Sequence, residues 1–230
     1  NFDDQGNIVA HEDALGNVTQ FQWDSQHRLK RTTNALGEFE DITRDHHGRP
    51  VEFTDGMGKI ITLGYDMRGN VEFLEASLGD RASFRYNDRG MPVLKTRPDG
   101  GVIRIEYDAH QNPIRLQNPD GSEWKWQYDY RGRLLVSTNP LGLVKRYDYD
   151  ERNLMIAAYE PNGGTMRYVY DAARDCVAVS DALGTTRAEY NGAHKVTKYI
   201  HADGTFVELL YNREGFMVEM RNEKGERQLL

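Results

Sequence analysis

Few residues in this 230-residue chain are arranged for chemistry. His46 and His47 are adjacent, so on a strand they would point to opposite faces, and no HExxH or Cys/His spacing accompanies them. The run DGMGKI, Asp55 to Ile60, contains a Gly-Lys pair. It lacks the earlier glycine and the Ser/Thr of a phosphate-binding loop. No G-x-S-x-G nucleophile elbow occurs. Acidic residues are plentiful but recur at a fixed interval, which points to turns rather than to an acid/base pair. Asn17-Val18-Thr19 is a glycosylation sequon, relevant only in a eukaryotic secretory setting. An aromatic series that includes Trp124 and Trp126 could stack on sugars or bases, but its recurrence in every unit favours packing. The sequence therefore assigns no catalytic, cofactor-binding or metal-binding residue, and it predicts a non-enzymatic protein without a cofactor.

Composition sets further bounds. The net charge is −7, so no basic excess exists to neutralise nucleic-acid phosphates. No apolar run approaches the roughly 18 residues of a membrane helix. Cys176 is the only cysteine, which excludes an intrachain disulfide. Twenty-two glycines and thirteen tyrosines suit many short strands with turns between them.

The elements that position these residues come from a repeat. Phe2, Trp23, Arg44, Tyr65, Tyr86, Tyr107, Tyr128, Tyr149, Tyr170, Tyr190 and Tyr211 recur every 21 residues, with a single step of 20 between Tyr170 and Tyr190. Each is followed by Asp or Asn. Fourteen residues after each start stands a glycine: Gly16, Gly37, Gly58, Gly79, Gly100, Gly121, Gly142, Gly163, Gly184, Gly204 and Gly225. A backbone position with φ > 0 explains an invariant glycine. Pro98-Asp99-Gly100 and Pro161-Asn162-Gly163 carry strong short-hairpin signals. A second, looser turn follows each lead aromatic, with Gly at Gly6, Gly48, Gly69, Gly90, Gly132 and Gly215 and with His27, Gln111, Asn153, Arg174 or His194 elsewhere. The acidic residue after the lead aromatic can bond this turn's backbone as an Asx-turn. Between turns the pattern alternates, as in Trp124, Trp126 and Tyr128 against Glu123, Lys125 and Gln127, which predicts half-buried strands.

A lone hairpin is marginally stable, so the repeats must stack laterally. Eleven repeats predict roughly 22 strands in one antiparallel sheet, on the order of 100 Å at about 4.8 Å per strand. So long a sheet tends to curl, and a single turn of it would be roughly 30–40 Å across, too wide for its own side chains to fill. The expectation is a curved wall around empty space or around other protein.

The stretch YDYRGRLLVSTNPLGLVKRYDYD, Tyr128 to Asp150, resembles the YD repeat of the Rhs family: Tyr-Asp-x-x-Gly-Arg-Leu, then Pro-x-Gly, then Tyr-x-Tyr-Asp. The resemblance covers the whole chain; Arg44 departs from it at a lead position, while Phe2 and Trp23 are milder variants. It implies an all-β fold in which tandem β-hairpins of about 21 residues form a long antiparallel sheet, curved into part of a spiral β-shell or cocoon. It implies that residues 1–230 are a single array within a larger Rhs core, without a separate toxin domain, because the pattern is already running at Asn1 and still running at Leu230. The function implied is a shell that sequesters a C-terminal toxin or effector domain. The partners implied are the rest of that shell, the enclosed domain and a secretion-apparatus component, and the location is secreted from a bacterium. Teneurins, which use a related shell in adhesion, make an adhesive or carbohydrate-binding surface the alternative. Rhs proteins also cut themselves after a Pro-x-x-x-x-Asp-Pro-x-Gly-Leu motif, and Asn139 to Leu143, NPLGL, resembles its second half. Asn139 stands at the Asp position and Leu134 at the first Pro, and Gly142 falls in phase with the other turn glycines, so the stretch reads as an ordinary repeat turn.

Overall fold

The structure, a computed structural model, describes residues 1–229. Among these the protein is all-β. Its 22 strands, numbered in chain order from β1 (Ala10–Glu12) to β22 (Arg227–Leu229), are antiparallel and belong to one sheet, and there is no helix. The chain forms two compact units, Asn1–Glu106 with Leu116–Gly121, and Tyr107–Arg115 with Ser122–Leu230.

Within each unit, consecutive strands pair as hairpins. In the second unit, β13 (Leu134–Thr138) pairs with β14 (Val144–Tyr149) across the Asn139–Leu143 turn. That β14 strand then pairs with β15 (Met155–Tyr159) across the turn opened by Asp150. The eleven phased glycines all have positive φ. So do all eleven residues of the second turn, including His27, Gln111, Asn153, Arg174 and His194, where a side chain tolerates the strain.

The two turns, read from the sequence as tight and loose, prove to be the same turn. At Asn139 the amide bonds the Leu143 carbonyl (3.0 Å) and Gly142 N–H bonds the Asn139 carbonyl (2.9 Å). At Asp150 the amide bonds the Leu154 carbonyl (2.9 Å) and Asn153 N–H bonds the Asp150 carbonyl (3.1 Å). This is a three-residue hairpin loop, a type I turn closed by one left-handed residue. Asp99, Asp120 and Asn162 keep negative φ, so Asp-Gly and Asn-Gly do not form the two-residue turns that their composition suggests. Proline at the second turn position, as in Pro98 and Pro140, fits a type I turn.

What distinguishes the two hairpins is a bulge. Tyr149 pairs with Met155 but Asp148 pairs with Ala157, so one residue is left over opposite Tyr149. Tyr65, Tyr128, Tyr170 and Tyr211 repeat the shift. It moves the register by two residues per repeat: Arg146 is level with Thr165 through Tyr159, while its equivalent one repeat on, Arg167, is level with Asp148 through Ala157. The exceptional 20-residue step also has a local cause. Asp181 pairs directly with Gly184, so this hairpin has lost the residue after its glycine and the lead aromatics stay in phase.

Packing is thin. Among the described residues only Ala157 and Ala158 are buried, each 3% exposed, and no large side chain is fully buried. Most strand residues are half-buried, because each strand is covered mainly by its two lateral neighbours. Turn geometry therefore carries an unusual share of the stability. Nothing lies within 4 Å of a Cβ added at Gly142, whose φ is 78°, so Gly142→Val tests backbone strain alone. It should lower unfolding free energy by about 1–2 kcal/mol in a urea titration, the cost of a left-handed L-residue.

Candidate functional site: a clasp between repeats

The YD signature builds one device many times over. At eight lead positions the side chain donates a hydrogen bond to a carbonyl of the repeat before it. Tyr149 Oη reaches Leu134 O at 3.0 Å, Tyr65 reaches Pro50 O at 2.6 Å, Tyr86 reaches Val71 O at 2.8 Å, Tyr170 reaches Met155 O at 3.0 Å and Tyr211 reaches Val196 O at 2.8 Å. The reason is local. The β13–β14 ladder stops at Val136↔Arg146, and the carbonyl at its open end needs a donor. Burial pushes the Tyr149 phenol above its ordinary value, with Tyr147 adding to the rise, so the hydroxyl keeps its proton.

The two departures at the lead position keep the bond. Trp23 Nε1 donates to Ile8 O at 2.8 Å, and Arg44 Nη2 donates to Leu29 O at 3.0 Å. The lead position thus requires a long side chain that ends in a donor, rather than a phenol. Phe2 has no donor and is 69% exposed.

The remaining signature residues hold the clasp. Asp129 Oδ1 accepts Arg131 N–H and Arg133 N–H, both at 2.9 Å, as the Asx-turn expected from the sequence. Its Oδ2 accepts Arg133 Nε at 2.6 Å. Arg133 then lies 5.0 Å from the Tyr149 ring centroid and donates to Asp150 O at 3.1 Å. Asp, Arg and the next Tyr are therefore one unit spanning two repeats. Arg49, bonded to Asp45, repeats it 4.4 Å from the Tyr65 ring. Where the basic residue is replaced by Asn7, Asn70 or Asn112, its Nδ2 donates to the carboxylate instead, each at 2.9 Å.

These bonds hold the turn carboxylates below their usual range. At Asp24 the Arg28 guanidinium and then the Arg28 backbone N–H lower the pKa from 3.8 to about 2. Asp3, Asp66 and Asp108 are lowered first by the Asn side chain four residues on. The folded pKa lies below the unfolded one, so the stabilisation is complete above about pH 4 and is lost as pH falls toward 2. Melting temperature should be flat from neutrality to about pH 4 and then fall steeply. Asp24→Asn and Asp66→Asn together should make that acid limb shallower in circular dichroism melts.

The other residues singled out in the sequence sit in turns or on strand faces. His46 and His47 lie exposed on a turn with ring centroids 3.9 Å apart. Among the described residues no group of His, Cys, Asp or Glu could hold a metal ion. Asp55 caps its own turn through Met57 N–H and Lys59 N–H, at 3.0 and 2.9 Å. Asn139 does the same through Leu141 N–H and Leu143 N–H, both at 3.0 Å. Asn17 Nδ2 donates to Asp13 at 2.8 Å. Cys176 is half-buried, and burial pushes its thiol up. Trp124 and Trp126 have ring centroids 6.2 Å apart with planes within 7°. No described helix is long and apolar enough to cross a membrane.

A β-hairpin array whose neighbouring repeats interlock through such clasps is the architecture expected of a YD-repeat protein. The teneurin YD-shell family matches residues 17–226, and the chain belongs to that family. Among solved structures it resembles the crystal structure of TcdB2-TccC3-Cdc42, with a TM-score of 0.65 and 12% identity, covering 95% of this chain and 16% of that one. TcdB2-TccC3 without its hypervariable C-terminal region gives 0.64, 12%, 95% and 16%. The Tc holotoxin pore of Photorhabdus luminescens, bearing a TccC3 substitution, gives 0.52, 11%, 96% and 18%. The likeness shows the fold, and the chain spans less than a fifth of each of those chains. No curated protein matches the sequence.

Proposed function

We propose that this chain is a structural segment of a YD-repeat shell that encloses a toxin or effector domain and keeps it from acting until delivery. The observation that carries this reading is the clasp, which within each compact unit ties repeats to the ones before them, as a hydrogen-bonded wall requires and separate binding modules do not. The two-residue register slip per repeat supports it, since a stagger of this kind is what a sheet needs in order to wind obliquely. The similarity to toxin-complex proteins favours a secreted bacterial role, with residues 1–230 as one array within a larger core. The role is confinement, with no catalysis by this segment, and the partners are the rest of the shell, its cargo and a secretion component.

Protease protection tests this. In the complete gene product, a domain that follows the repeats should resist a protease that digests the same domain expressed alone. Protection should fall when Tyr149→Ala and Tyr170→Ala loosen the wall; equal digestion of free and repeat-linked domain would defeat the reading. One observation favours the adhesive alternative: Trp124, 38% exposed, stands parallel to Trp126 and offers a flat stacking surface. Glycan-array binding that Trp124→Ala and Trp126→Ala abolish would support it.

A further inference from the structure

We infer that Asn191–Gly192 is a site of spontaneous deamidation in the folded protein, and that the chain's other Asn-Gly pair, Asn162–Gly163, is protected by its place in the same kind of turn. The reaction needs only water. The backbone nitrogen of the glycine, once deprotonated, attacks Cγ of the preceding asparagine. The Cγ–Nδ2 bond breaks and ammonia leaves, taking its third hydrogen from water and so returning the hydroxide that deprotonated the glycine nitrogen; a cyclic imide remains. Water then opens the ring at one carbonyl or the other, to aspartate or isoaspartate.

Two features separate the pairs. The first is the nucleophile. Gly163 is the left-handed residue that closes its turn, and its N–H donates to Glu160 O at 3.0 Å. Gly192 sits one residue into its turn, and its N–H donates to no group among the described residues. Asn191 and Gly192 are exposed, so water and hydroxide reach this turn. The second is the electrophile. Negative charge develops on Oδ1 as the nitrogen attacks. Asn191 Oδ1 already accepts two backbone donors, Ala193 N–H at 2.9 Å and Lys195 N–H at 3.1 Å, placed as a small oxyanion hole. Asn162 Oδ1 accepts one, Gly164 N–H at 3.0 Å.

The two products differ in consequence. Asn191 occupies the position that is aspartate in eight of the eleven repeats. Opening to aspartate therefore restores the family residue, with a new carboxylate beside Lys195, as Asp129 stands beside Arg133. Opening to isoaspartate adds a backbone atom and removes the side chain that caps this turn.

Peptide mapping by mass spectrometry, with isoaspartate measured by enzymatic methylation, tests the inference on the full chain held in mildly alkaline buffer. In the folded chain Asn191 should gain the mass of an amide-to-acid exchange several times faster than Asn162. In denaturant, where both turns are gone, the difference should shrink toward that of the two short peptides. Gly192→Ala should suppress the Asn191 reaction without affecting the Asn162 site. Equal folded rates, or a ratio that denaturant leaves unchanged, would overturn the assignment.

Discussion

Tyr149→Ala is expected to lower the unfolding free energy by about 3 kcal/mol, within the usual range for removing a packed aromatic ring, and Tyr149→Phe by about 1 kcal/mol. The split follows from what the side chain does. The ring covers part of a sheet that has little other cover and receives Arg133 on one face. The hydroxyl satisfies the Leu134 carbonyl, where the neighbouring ladder has stopped. Phenylalanine keeps the ring and leaves the carbonyl to water; alanine loses both and strands Arg133 over nothing. The measurement is chemical denaturation followed by circular dichroism. A double-mutant cycle with Arg133→Ala should show coupling, because Asp129, Arg133 and Tyr149 act as one unit. Additive losses would mean that Arg133 and Tyr149 contribute independently. The converse holds at Arg44: Arg44→Tyr should be close to neutral, since either residue can donate to Leu29 O, whereas Arg44→Leu should cost about 1 kcal/mol.

Much of this architecture was legible because a repeat multiplies weak signals. One glycine proves nothing, but eleven in phase mark eleven left-handed backbone positions. The alternation around Trp124, Trp126 and Tyr128 similarly marked a strand and its faces. The Asx-turns were legible too, since few roles suit an acidic residue at that place. Three things were not. The identity of the two turns was hidden because Asp-Gly favours two different hairpin geometries, and only the φ of the residue before the glycine separates them. The bulge was hidden because a skipped partner leaves no mark in a single strand's alternation. The clasp was hidden for a different reason: Trp23 read as a variant of an aromatic theme and Arg44 as a departure from it, when the shared feature was a terminal donor. Reading Tyr, Trp and Arg as donors first would have exposed it. Asp55, Asn139 and the His46–His47 pair fell onto repeat turns, while Trp124 and Trp126 fell onto a strand.

Gly64 shows where a repeat misleads, because it is out of phase with every turn glycine and its φ is not positive. It lies in β6 (Ile60–Tyr65), paired with Phe73 on β7 (Val71–Ala76). A Cβ at Gly64 would run into three atoms of the Phe73 ring, so the ring occupies the space that a side chain would take. The ring also carries the Arg81 guanidinium, 3.8 Å from its centroid, and Arg81 is held in turn by Glu75 at 3.2 Å. Glycine here is a cavity filled from across the ladder, an arrangement that offsets the weakness of glycine in a strand. Gly64→Val should therefore cost about 3 kcal/mol, near the top of the range for overpacking, although valine favours strands elsewhere. Removing the obstacle should reverse much of this. In the Gly64→Val/Phe73→Ala double variant the valine enters the vacated space, and the combined loss should fall well below the sum of the two single losses. A strictly additive result would show that the Gly64 backbone, rather than the ring, sets the requirement for glycine.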